Sequence, residues 1–257
     1  MPSSIKMARE FGDDLTIIFV ESQGTPPDAT ETFVWNHKWM GTSAMWTHEA
    51  PLRTGSNGLP NFALLSNTGE VLLKGHPMSM HKDIVEAVEG EIAKSKKAPE
   101  GTPKALKKAY KAWAKGDFAK AVAEARKVEA KGGEDGEAAA TTVSTFIAGI
   151  EAKFARVDWM LENNYLVQSE ELYNTLVKST KGLEDVAEKA AALEETFGAK
   201  DLKDEMSAAK SLARIESKLE EEGFDDKLVK QLEKFVKKNA DFKAGSRAKY
   251  LLGLANN

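Results

Sequence analysis

The chain has 257 residues, 36 Lys and Arg against 40 Asp and Glu for a formal net charge of −4, and no cysteine. That length is enough for two domains that each bury a core, and the missing thiols exclude disulfides, thiolate zinc sites and thiol nucleophiles within this polypeptide. Basic residues lie beside Glu along helices rather than among aromatics, which speaks against nucleic acid as a partner, and no apolar run approaches the ~20 residues of a membrane span.

In chain order, Ile5, Met7, Ala8 and Phe11 have helical spacing over Ser3–Phe11, with Gly12 as a stop. The stretch LTIIFVESQG is apolar and β-branched and predicts a buried strand ending at Gly24. TPPDAT is a loop in which Asp28 or Thr30 is placed to cap a helix over Glu31–Met40. AMWTHEAPL reads as a short strand and its exit, and RTGSNG as a flexible loop. Then comes GLPNFALLSNTGEVLLKGHP: two short apolar runs around the tight-turn composition Asn67-Thr68-Gly69-Glu70, with Pro60 directly in front. Ile84, Val85, Val88 and Ile92 share one face of a helix over Met80–Ser95.

The order helix–strand–helix–strand–hairpin–helix predicts a mixed sheet with helices packed on it. The polar stretch KSKKAPEGTP marks the domain boundary, giving a first domain over 1–95, a linker over 96–102 and a helical domain over 103–257. Beyond Pro103 there is no strand signal. Three passages there, WAKGDFAKAVAEARKV, LENNYLVQSEELYNTLV and LEEEGFDDKLVKQLEKFV, each run from a helix end through a polar turn and an aromatic or apolar residue into a new amphipathic helix. They resemble the helix–turn–helix unit of tetratricopeptide-type repeats. Their turns, however, lie about 48 and 59 residues apart instead of 34, so a degenerate or irregular array is expected.

The segment with its leading proline resembles the cis-proline segment of the thioredoxin-like superfamily, and most nearly its cytochrome c-maturation and peroxiredoxin-related members. The resemblance covers roughly residues 2–95. It implies an α/β thioredoxin-like mixed sheet and a cis Leu59–Pro60 bond. It also implies a groove formed by Leu59 and Pro60, flanked by Asn57 and Trp46, into which an extended peptide docks by strand addition. Proline at the first residue of a strand lacks the ladder N–H and so belongs at an edge or kink, which agrees with that reading.

Members of this family carry a Cys-x-x-Cys motif at a helix N-terminus, where the helix dipole lowers the attacking thiol's pKa. Pro2 fits the proline that follows the motif within that helix. The two cysteines and the first strand are therefore expected just upstream of Met1, and the sheet is expected to be N-terminally truncated. The alternative is a natural cysteine-free relative that serves as a non-catalytic interaction scaffold. The family's extracytoplasmic, periplasmic location is implied by resemblance alone. Either way this chain cannot exchange disulfides, and its expected function is protein or peptide binding through the proline groove and the helical domain.

A glutathione-transferase-like enzyme is a third reading, since it also joins a thioredoxin-like domain to a helical one. It expects an acidic-Ser pair after the hairpin, whereas Ser79 here has no acidic residue before it. No cofactor, metal ligand or catalytic residue is assigned: the four histidines have no paired spacing. Trp35, Trp39 and Trp46 either pack in the core, as tryptophans at helical spacing commonly do, or form an aromatic recognition surface. Trp113 and Trp159 are expected between helices.

Overall fold

The computed structural model describes residues 2–40, 44–49, 52–55, 58–95 and 97–255. The chain is 69% helical, with eleven α-helices and two sheets of two strands each among the described residues. This corrects the expected α/β architecture. Strand β1 (Ile17–Val20) pairs in parallel with β2 (Ala44–Thr47), and β3 (Phe62–Leu65) pairs antiparallel with β4 (Val71–Gly75). Among the described residues no ladder joins the two pairs, so a mixed thioredoxin-like sheet does not form. Each strand is only four or five residues long. Two-stranded ladders of that length bury little by themselves, and a sheet that makes its own core needs three or more strands. The predicted buried strand shows this directly, because Ile18 and Val20 of β1 are exposed.

The contacts divide the chain into two compact units, one holding residues up to Gly90 together with those from Ser207 on, the other Glu91–Met206. The last fifty or so residues thus group with the N-terminal segment.

In the first unit, α1 (Pro2–Phe11) buries Ile5, Met7 and Ala8, the face read from their spacing. Helix α2 (Pro27–Asn36) begins earlier than expected, with Pro27 in its first turn and no side-chain cap from Asp28 or Thr30; proline is well placed there because that N–H has no helical partner anyway. Helix α3 (His81–Ser95) buries Ile84 and Val88. The main core of this unit is helical. Trp35 from α2 packs with Ala208, Leu212 and Leu219 of α9 (Lys200–Glu222), Leu228, Leu232 and Phe235 of α10 (Asp226–Lys238), and Ala248 and Leu251 of α11 (Lys243–Ala255). Asp225 caps α10 by accepting from the Leu228 N–H at 2.6 Å.

The second unit stacks α4 (Lys107–Trp113), α5 (Phe118–Glu129), α6 (Gly133–Glu162), α7 (Leu166–Ser179) and α8 (Ala187–Gly198) around one apolar core. Fully buried Ala109, Ala121, Ala125 and Ala139 let neighbouring helices approach closely, and Ile150, Phe154 and Val157 of α6 fill the centre. Trp113 lies flat on Phe146, with ring centroids 4.4 Å apart, as a helix-packing residue should.

Candidate functional site

The turn of the β3–β4 hairpin forms because Ser66 supplies what its backbone lacks. The Ser66 hydroxyl oxygen accepts from the Thr68 N–H at 3.2 Å and the Glu70 N–H at 3.1 Å, and the Ser66 N–H donates to the Glu70 carbonyl at 2.8 Å. Gly69 takes a positive φ of 87°, which explains the glycine at this position. A register irregularity between Leu64 and Leu65 lets Val71, not Leu72, face Leu65.

Ahead of the hairpin, the Leu59–Pro60 peptide bond is cis. The Asn61 side-chain amide donates to the Gly58 carbonyl at 2.7 Å and so ties the bend to the strand that follows. Leu59 is 59% exposed, Pro60 is exposed too, and the backbone groups of Leu59 have no hydrogen-bond partner among the described residues. Leu65 and Val71 on the hairpin are also exposed. Asn57 lies outside the described residues.

Trp46 sits on β2, opposite Phe19 of β1, and their rings stack at 4.5 Å. Trp39 stacks on Trp46 at 6.1 Å, and Trp39 in turn meets His37 at 5.0 Å and Phe33 at 5.5 Å. The result is a continuous aromatic strip that runs from the parallel strand pair onto the end of α2. The indole N–H of Trp46 is buried without an acceptor among the described residues, an arrangement that costs about 1–3 kcal/mol. No hydrogen bond or ring contact joins Trp46 to Leu59 or Pro60, and β2 and β3 share no ladder.

Trp35, the third candidate for an aromatic surface, turns inward. It is 2% exposed, packs on Phe224 at 6.1 Å and donates its indole N–H to Glu31 at 3.3 Å. Glu31 is a hub that the sequence does not announce. Its carboxylate also accepts from both terminal nitrogens of Arg247 at 3.3 Å and from the Tyr250 hydroxyl at 2.7 Å. Arg247 Nε donates further to Glu216 at 3.2 Å. Burial, and then the bond to Glu31, push the Tyr250 hydroxyl up to about 12.

Ser79, the residue a glutathione site would need, donates its hydroxyl to the His76 carbonyl at 3.0 Å. Among the described residues no three histidine or carboxylate side chains gather as a metal site requires, and no helix is long and apolar enough to cross a membrane.

Comparison with known protein families, with curated proteins and with solved structures finds nothing that matches this chain.

Proposed function

We propose that this chain binds protein or extended peptide, through the strand edge beside Leu59 and Pro60 and through its helical region. We further propose that it derives from a thiol–disulfide oxidoreductase family while lacking the redox cysteines. The kinship concerns the segment from Gly58 to Pro77, not the architecture. One observation carries the reading: the β3–β4 hairpin pairs with no further strand among the described residues, exposed apolar Leu65 and Val71 lie on it, and exposed Leu59 stands just ahead of it. An unpaired row of N–H and C=O groups flanked by apolar side chains is what an incoming strand satisfies, with the backbone giving affinity and the side chains selectivity.

The test is fluorescence anisotropy with a labelled Val-Thr-Val-Thr-Val-Thr peptide and the full chain. Saturable binding is expected. Leu59→Asp and Leu65→Lys should each weaken it about tenfold, since a charge at an edge opposes strand addition. Thermal melts should be little changed, because both side chains are already in water. Absence of binding, or full affinity in both variants, would refute the strand-edge reading.

A further inference from the structure

Three helix–helix turns of this chain place an aromatic residue directly after the turn, and two of the three are already covered. At the end of α4, the Gly116 N–H donates to the Trp113 carbonyl and the Asp117 N–H to the Ala112 carbonyl, which brings Phe118 against Trp113 at 4.7 Å. Phe118 is only 9% exposed, and the ammonium of Lys153 lies over its ring, 5.7 Å from the centroid. In the other unit, Phe224 follows Gly223 and meets Trp35.

The third turn closes with the same pair of backbone bonds, but its aromatic residue stands one place earlier: buried Leu166 holds the position of Phe118, and Tyr165 that of Asp117. At the end of α6, Asn164 takes a positive φ of 65°, its N–H donates to the Leu161 carbonyl at 3.2 Å, and the Tyr165 N–H donates to the Met160 carbonyl at 2.8 Å. These paired bonds close a helix C-terminus and bring the residue after the turn against the helix's last turns. Tyr165 accordingly stacks on Trp159 at 5.5 Å and 16°. Trp159 is nevertheless 53% exposed and Tyr165 50%, against the expectation that Trp159 packs between helices. The backbone holds the pair in place, so little ordering cost remains for a ligand.

What fits the pair follows from charge. Asp158 and Glu162, one helical turn apart, flank Trp159; both are exposed, and neither forms an ion pair among the described residues. Arg156 is the single basic residue over 155–165. Aromatic faces and carboxylates both attract cations.

We propose that the Trp159–Tyr165 pair, rimmed by Asp158 and Glu162, is a docking point for a lysine or arginine side chain of a partner polypeptide. The proposal rests on reading the helical region as protein-binding and adds the site and the chemistry of its partner.

The experiment follows the indole and backbone N–H resonances of the 15N-labelled full chain during titration with acetyl-Gly-Arg-Gly-Arg-Gly-amide, with the glutamate counterpart as control. The arginine peptide should shift the Trp159 indole and Tyr165 amide signals, and the glutamate peptide should not. Trp159→Ala, read at Tyr165, and the doubly neutralised Asp158→Asn/Glu162→Gln chain should each weaken binding about two- to fivefold. The neutralised chain alters only surface charges and covers the case in which the alanine variant fails to fold. No shift, equal shifts with both peptides, or full affinity in the neutralised chain would overturn the proposal. Leu65→Lys should leave the arginine titration unchanged, so a failure here stays distinct from a failure of strand addition at the hairpin.

Discussion

Gly245 lies three residues into α11, and a β-carbon added there would collide with the backbone carbonyl of Asn239. The contact is with main chain, which cannot swing aside like the end of a flexible side chain. Gly245→Ala is therefore expected to destabilise the protein by about 1–3 kcal/mol, although alanine is ordinarily the better helix former. Gly253, in the same helix with open space around it, supplies the control: Gly253→Ala should be neutral or stabilising by about 0.5–1 kcal/mol. Urea unfolding of both variants separates the two effects. At this scale the sequence is readable for conformation but not for proximity. Gly69 in its turn was legible as a tight-turn residue, whereas Gly245 reads only as a weak helix residue until Asn239 is placed beside it.

Between elements, the ion pair of Arg126 on α5 with Asp185, just before α8, spans 59 residues at 2.6 Å. The hydrogen bond from Arg126 holds the Asp185 carboxyl below its ordinary value of 3.8. A lowered folded-state value means stability that is present above 3.8 and is lost as pH falls through the folded value. Asp185→Asn should thus cost about 0.5 kcal/mol at neutral pH, a modest figure because the Arg126 side chain is 45% exposed. The variant's deficit should shrink as pH drops past 3.8 and then vanish, which melts at pH 7 and pH 3 would check.

The helices themselves were largely legible because apolar spacing needs no partner to be seen: the helix expected over Met80–Ser95 is α3, which begins one residue later. The strands and their pairing within the hairpin were legible, as at Phe62–Leu65 against Val71–Gly75, but not that the two strand pairs share no ladder, since a four-residue apolar run does not say which further neighbour would extend its sheet. Leu59 and Pro60 could be singled out because proline before an apolar run is a local signal. The Trp159–Tyr165 pair was missed, although the recurring turn-then-aromatic pattern was in view. Spacing reports which residues share a face, not which faces a neighbour leaves open.

Over the whole chain, Glu31 joins α2 to α11 across a separation of 216 residues. Glu31→Ala removes the acceptor for Arg247, Tyr250 and Trp35 at once and leaves their donors competing for water. A loss of roughly 1–2 kcal/mol is expected, between the value of one charged hydrogen bond and that of a partly exposed network. It should appear as a lower melting temperature for the first unit, read by the fluorescence of buried Trp35. No local pattern in the sequence discloses such a contact. The Pro/Gly-rich stretch near 96–102 advertises a boundary, but the return of residues 207–255 to the first ninety depends on which apolar faces find each other.

That return has a consequence for synthesis. On the ribosome, Trp35 leaves the exit tunnel long before Leu228, Leu232 and Leu251, the side chains that enclose it, have been translated. The core of the segment made first therefore closes last, whereas the apolar core of the intervening helices of 91–206 is drawn from that stretch and is translated before it. For that interval a nascent indole stands uncovered, and the pace of elongation, not the strength of any one contact, sets how long it waits.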